Sequence, residues 1–398
     1  MHATNINHQN TTPAESELAQ TLRGTISVIE NTANLVANFD TTLEATRYAN
    51  NQATDITTGR LLGNALWSIK PGQLEWFVSD VYTQTALDPL SSNTPSNRQN
   101  VNALTTGPNY YVRINRRSNL ALEARVENYA YDNAQIDNSR VFGASRLDYM
   151  FTSSISSNLR YETSQVMYEN NVLNNRVSNP DFNRNDVFLG LFYQRNVNRA
   201  ELQGGYTIIN YDGMAAETRE SRYLLALENR RTRTTTIRAE YSRNISDTSS
   251  DLRSVISTDN INLLATSALL YVRTSTSLNI TNTLSSGTLI LNIHKTDSDY
   301  LTDDRQDQTE KGASLTNFWN ISGNSSFAID GSYIQSSYFN RAPQRINEDY
   351  LYGANYTYHY GRNININLRA EQAERKSTES AQTYDDTRIM LTLEYVSR

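Results

Sequence analysis

From Glu348 to Gln372 the chain alternates. Tyr350, Tyr352, Ala354, Tyr356, Tyr358 and Tyr360 fall two apart, and Gly361-Arg362-Asn363 interrupts. Ile364, Ile366, Leu368 and Ala370 then alternate with Asn365, Asn367, Arg369 and Glu371. A period of two sends successive side chains to opposite faces of a sheet. A short Gly/Asn break between two such runs predicts a hairpin turn. The second run has one aliphatic face and one polar face, whereas Tyr356 is left facing either lipid or sugar.

The pattern recurs from about residue 33 to the C-terminus as a module of roughly 40 residues: strand, short turn, strand, long polar loop. Short turns are expected at 70–72, 116–119, 154–158, 196–198, 230–233, 273–276, 322–324 and 361–363. Longer stretches rich in Asn, Ser, Asp and Thr occupy 49–57, 85–99, 132–139, 170–185, 212–220, 247–259, 295–311, 340–348 and 374–385. Together these connections imply about 18 strands, with 16 as the alternative. The fold class is all-β: a transmembrane up-and-down antiparallel β-barrel with short periplasmic turns and long extracellular loops.

Facing follows from the same period. Leu120, Leu122, Ala124 and Val126 oppose Glu123, Arg125 and Glu127; Leu147, Tyr149 and Phe151 oppose Arg146 and Asp148. Tyr223, Leu225 and Leu227 oppose Arg222 and Glu228, and Ile237, Ala239 and Tyr241 oppose Arg238 and Glu240. Leu368 opposes Arg369 and Glu371, and Ile389, Leu391, Leu393 and Tyr395 oppose Arg388 and Glu394. With Arg113, Arg160 and Glu162, the charged members are the expected lumen-lining set. An interior charged with both signs holds water and cross-strand pairs but no dry core. Tyrosines such as Tyr48, Tyr82, Tyr131, Tyr168, Tyr211, Tyr300, Tyr338 and Tyr350 flank the long loops, while Trp67, Trp76, Tyr193, Trp319 and Tyr360 lie near short turns. Two such bands are the pattern of interfacial aromatic girdles.

Composition is consistent with this reading. Mean hydropathy is −0.61, and no run approaches the ~18 apolar residues of a membrane helix. A barrel reaches lipid only at alternate positions, so its average looks soluble. The 36 basic and 42 acidic residues give a net charge of −6 without a basic block, so nucleic acid is not an expected partner. Residues 1–32 are expected to form an N-terminal periplasmic segment, with Thr12-Pro13 opening a short helix near 13–22. The barrel then covers 33–398. The polar opening MHATNINHQNTT lacks a signal pattern, so the numbering is expected to start after signal removal.

Catalytic chemistry finds no support. The chain has no cysteine, and its four histidines, His2, His8, His294 and His359, are scattered without an HExxH-like arrangement. His359 is expected in the interior. The acidic stretch Asp297–Asp304 lacks the glycine and terminal glutamate of a calcium loop. No metal, cofactor or enzymatic activity is expected.

Tyr223–Glu228 (YLLALE), followed after a basic turn by Thr234–Tyr241 (TTTIRAEY), and the closing Arg388–Tyr395 (RIMLTLEY) carry a likeness. In this style the chain resembles the outer-membrane β-barrel proteins encoded with exopolysaccharide and PEP-CTERM/exosortase systems. The resemblance implies a Gram-negative outer-membrane channel that passes a polysaccharide, with periplasmic export proteins as further partners. Outer-membrane lipid and lipopolysaccharide would surround it. Aromatic faces pack on sugar C–H surfaces, and Tyr111, Tyr129 and Tyr352 are candidates for that contact. The expectation is exopolysaccharide secretion through a hydrated mixed-charge lumen. The alternatives are a general or oligosaccharide-uptake porin and, from another class, a surface β-repeat adhesin.

Overall fold

A computed structural model of the chain describes residues 2–5, 16–49, 55–86, 97–132, 137–169, 172–173, 176–177, 180–212, 217–247, 270–301, 304–340 and 344–396. The first nine strands are β1 (His2–Asn5), β2 (Ser16–Asn31), β3 (Leu35–Tyr48), β4 (Ile56–Lys70), β5 (Leu74–Ala86), β6 (Arg98–Arg113), β7 (Ser118–Tyr131), β8 (Asn138–Met150) and β9 (Ile155–Tyr168). Two short pieces follow, β10 (Val172–Leu173) and β11 (Arg176–Val177). Next come β12 (Phe182–Arg195), β13 (Asn198–Tyr211), β14 (Glu217–Asn229), β15 (Thr235–Asp247), β16 (Leu270–Leu284) and β17 (Gly287–Tyr300). The chain closes with β18 (Gln308–Ser322), β19 (Ser325–Tyr338), β20 (Arg345–Tyr360), β21 (Ile364–Ser377) and β22 (Tyr384–Tyr395).

Each long strand pairs antiparallel with its neighbour in the chain, and β9 pairs with β12. β1 pairs with both β2 and β22, which brings the two ends of the sheet together. The architecture is an all-β, up-and-down antiparallel sheet whose strands alternate an apolar outer face with a polar inner one. In β7, Leu122 and Val126 are exposed on the outside while Glu127 and Tyr129 on the other face are buried. Connection lengths differ: Asn196-Val197 joins β12 to β13, whereas 22 residues, 248–269, separate β15 from β16.

Three expectations are corrected. Residues 16–22, read as part of a helix, belong to β2, which pairs with β3 from Ala19↔Tyr48 to Asn31↔Val36. Good helix formers at Ser16–Leu22 yield because the β3 edge would otherwise expose an unpaired row of backbone groups. The sheet therefore starts well before residue 33. The turn expected at 273–276 lies inside β16; the chain reverses at Ser285-Ser286, before Gly287. Threonine is β-branched and suits a strand, so the polar Thr/Ser run misled. With β2 included, the described residues hold nineteen strands of twelve or more residues rather than about eighteen.

The tyrosine row is now placed. Tyr356 pairs with Leu368 and Phe327, and Tyr352, Tyr356 and Tyr360 are exposed on that same outer face. Tyr352 is thus on the lipid side. The aromatic band near the short turns is outward too: Trp67 pairs with Trp76, and Trp319 stacks on Phe327 at 5.8 Å. On the long-loop side the expectation fails in part, because Tyr131, Tyr168 and Tyr338 are buried rather than facing lipid. Tyr223, Tyr241, Tyr333 and Tyr350 form the outer band there, in two ring pairs at 5.6 and 5.1 Å.

Candidate functional site: a charged inner wall and an overlapping seam

One spacing recurs on the inner face. A basic residue and an acid two positions away share a face of one strand, and their side chains meet. Arg146 lies 3.1 Å from Asp148, Arg160 2.6 Å from Glu162, Arg184 2.7 Å from Asp186 and Arg238 2.7 Å from Glu240. Arg369 lies 2.9 Å from Glu371, and Arg388 2.6 Å from Asp386. These pairs then connect between strands. Arg160 reaches Glu123 at 3.6 Å, and Arg222 lies between Glu162 at 3.5 Å and Asp186 at 3.6 Å. Glu228 has Arg199, Arg230 and Arg238 within 3.8 Å. Arg369 also grips Asp330 through two bonds of 2.9 and 3.0 Å, and Glu371 lies 3.7 Å from Arg388.

Aromatic rings steady the arginines. Arg222 sits over Phe188 at 4.1 Å and Arg140 over Tyr129 at 4.8 Å, in cation–π geometry. Arg125 lies over Phe77 and donates to the carbonyls of Pro108 and Ala124, both at 2.8 Å. The β6–β7 pairing skips residues 107–108 and 124–125, which leaves those carbonyls available. Only glycine fits at the break: a Cβ on Gly107 would stand 2.0 Å from the Ala124 carbonyl oxygen.

The wall changes character where β14 meets β15. Their pairing covers only Tyr223↔Arg243 to Asn229↔Ile237, although β14 and β15 both keep their other neighbours to the ends. Beyond Arg243 the strands part. Ile237, Ala239 and Tyr241 set the outer face of β15, and a period of two carries Ile245 and Asp247 onto that same face. Yet Asp247 accepts two hydrogen bonds from Arg140, at 2.8 and 3.1 Å, and Arg140 belongs to the inner face of β8. Ile245 with Leu270 and Val272 packs on Val166, Tyr168, Phe182 and Ile209 of the inner face of β9, β12 and β13. Both facts require the long-loop ends of β15 and β16 to tuck inside the wall, so that the sheet overlaps itself. The result is a dry core where none was expected. Arg140 and Asp247 are each only 4% exposed.

A cavity of about 450 Å³ opens beside this overlap. Five arginines (Arg125, Arg140, Arg160, Arg184 and Arg222) and four acids (Glu123, Glu162, Asp186 and Asp247) line it. It can hold a hydrated polar solute, or one carrying both signs of charge. Among the described residues no group of three or more metal-ligating side chains forms.

The structure therefore brings together Glu123, Arg125, Arg160, Glu162 and Arg222 of the sequence-derived set. Glu228, Arg238 and Glu240 form a second inner group, and Arg369, Glu371 and Arg388 a third. Glu127 is buried beneath Tyr129, whose hydroxyl donates to it at 3.2 Å. Glu394 accepts from Asn365 at 2.7 Å, which also contacts His359 on the inner face. Arg146 and Asp148 pair near a turn, and Arg113 is exposed at the end of β6, donating to the Asn115 carbonyl. Sequence reasoning missed Arg140, Asp247, Arg184, Asp186 and Asp330. The spacing Arg184-x-Asp186 was a usable signal; nothing local announces the Arg140–Asp247 pair.

No protein-family model matches the chain, no curated protein matches it, and nothing bears on the resemblance to export-associated barrels. Solved structures do match. The FrpB iron transporter from Neisseria meningitidis matches in its F3-3 variant with TM-score 0.52 and 8% identity, over 99% of this chain and 80% of that one. The F5-1 variant gives TM-score 0.51 and 8% identity over 99% and 81%. The siderophore receptor PirA from Pseudomonas aeruginosa gives TM-score 0.46 and 10% identity over 98% and 79%. At such identities the likeness is one of fold. It is the up-and-down antiparallel fold shared with an outer-membrane type of barrel, of which the FrpB iron transporter is an example. The expectation of exopolysaccharide secretion is corrected here, along with its polysaccharide substrate and periplasmic export partners. The finding that overturns it is that the matching fold is that of proteins named as iron transporters.

Proposed function

We propose that the chain is an outer-membrane uptake channel for small hydrated solutes, of the general or oligosaccharide-uptake porin kind. The observation that supports this reading is the inner charge network around the 450 Å³ cavity. Arginines and carboxylates stand within one hydrogen-bond layer of each other, so a polar solute exchanges its water for both donors and acceptors. A field running between opposite charges favours hydrated dipolar molecules over bare ions. In this reading the barrel is closed through β1, the short turns face the periplasm and the long loops face outward. The inner residues Glu123, Arg125, Arg160, Glu162, Arg222, Glu228, Arg238, Glu240, Arg369, Glu371 and Arg388 border the path. The neighbours support uptake as a direction of traffic; the chemistry of their cargo is not carried over.

Planar-bilayer recording and liposome swelling test the proposal together. A steadily open, ion-conducting pore that admits mono- and disaccharides faster than longer oligomers is the expected result. Insertion without conductance and without sugar-driven swelling overturns it.

A further inference from the structure

The outer face of the sheet carries a feature that the channel does not use. Register places Lys295 of β17 directly opposite Lys311 of β18. Both are outward, since the next outer pair toward the membrane is Ile293↔Ala313 and the one after it Leu291↔Leu315. Like charges directly opposite on a sheet repel each other. Lys295 has a partial answer in Asp297, 2.7 Å away on its own strand. Lys311 forms no ion pair within 4.0 Å among the described residues, although Asp297 lies close enough to feel both lysines.

Beneath the two lysines, on the same outer face, lies a concavity of about 680 Å³. Its rim is Leu225, Leu227, Tyr241, Leu278 and Ile293, and small side chains such as Ala239 and Ala313 give it depth. Tyr223 and Tyr241 stand on one side of the groove and Tyr333 on the other, in the outer tyrosine band of the long-loop side. Tyrosine marks the level where hydrocarbon gives way to head groups. The lysines are thus at head-group depth and the groove at acyl-chain depth.

From this arrangement we infer that the outer face of β14–β19 binds one phosphate-bearing lipid of the leaflet on the long-loop side. Its phosphate bridges Lys295 and Lys311, and an acyl chain lies in the groove below. The occupant is chosen by complementarity. An anion relieves the repulsion between facing lysines, whereas a neutral head group leaves it in place. Free phosphate meets the charge but leaves the apolar groove uncovered. A second copy of the chain would have to bring acids to the lysines and side chains into the groove, while lipid surrounds the site in the membrane anyway. Lysine stems also suit the position, lying along apolar surface with the ammonium at the interface.

The test is native mass spectrometry of the full chain, folded in detergent and titrated with phosphatidylglycerol or phosphatidylcholine. One retained phosphatidylglycerol is expected, with phosphatidylcholine held much less well. Lys295→Gln with Lys311→Gln should weaken retention by about tenfold or more, as expected for two lysines near an anionic lipid surface. Ala239→Phe, which fills the groove and leaves both lysines, should weaken it as well. Heat-modifiable gel mobility confirms folding of each variant, and the single Lys311→Gln serves if the double variant does not fold. Millimolar inorganic phosphate should not displace the lipid. Equal retention of the two lipids, or undiminished retention by the folded lysine variants, overturns the inference, as does displacement by free phosphate. Retention by the Ala239→Phe variant at the wild-type level overturns the groove part of it.

Discussion

Two arginine–carboxylate pairs behave differently in this molecule. Arg238 and Glu240 sit two apart on β15, face the interior and remain well hydrated, with Arg238 46% exposed. Arg140 and Asp247 come from β8 and β15, lie at the overlap and are almost wholly buried. The first pair is a local consequence of period two and contributes little, since water screens both charges. The second takes two charges out of water, and each is tolerable only because of the other. The difference teaches that inner charge does two jobs here. Along the wall it keeps the interior wet; at the seam it fastens one layer of sheet to another.

The largest expected effect tests the fastening. Asp247→Ala leaves the Arg140 guanidinium buried without its carboxylate and should cost about 3–5 kcal/mol. Urea unfolding followed by tryptophan fluorescence in detergent measures it. Pairing it with Arg140→Met should restore most of that loss; failure to recover would mean that the seam depends on more than these charges. A somewhat smaller effect separates the two faces. Leu368→Arg, on the outer face at 48% exposure, should impair assembly by about 2–4 kcal/mol where it meets mid-membrane lipid, read from the folded fraction after refolding into vesicles. The adjacent Arg369→Leu, on the inner face, should leave that fraction nearly unchanged. The smallest effect belongs to the wet pair: Arg238→Ala should change stability by no more than about 1 kcal/mol. Its signature is a shift of reversal potential toward cation selectivity in a salt gradient. A stability loss matching that of Asp247→Ala would erase the distinction between wall and seam.

Much of the fold was legible because a barrel repeats one rule. The turn at Gly361-Arg362-Asn363 and the alternation after it give the register of β20 and β21, with Gly361 at φ 69° where a side chain would be strained. Wall pairs such as Arg160/Glu162 and Arg369/Glu371 were legible for the same reason. Arg184 was lost because its neighbourhood is polar and was assigned to the loop at 170–185, although β12 already begins at Phe182. Strand ends that project beyond the apolar band need no alternation with lipid, so they resemble loops in composition. Asp247 failed for a deeper reason. Its facing by period two is outward, and only the parting of β14 from β15 turns that face toward Arg140. No run of sequence encodes such a partner, because it depends on where the sheet has room to double.

That doubling bears on how wide the molecule is. In a simple barrel every strand adds to the girth, and bore can be reckoned from the strand count. Here β14 and β15 part beyond Arg243 while β16 stays paired with β17, and the β15 and β16 ends pack on the inner face of β9, β12 and β13, so on the long-loop side they thicken the wall. Strand number alone therefore does not give the width on the long-loop side.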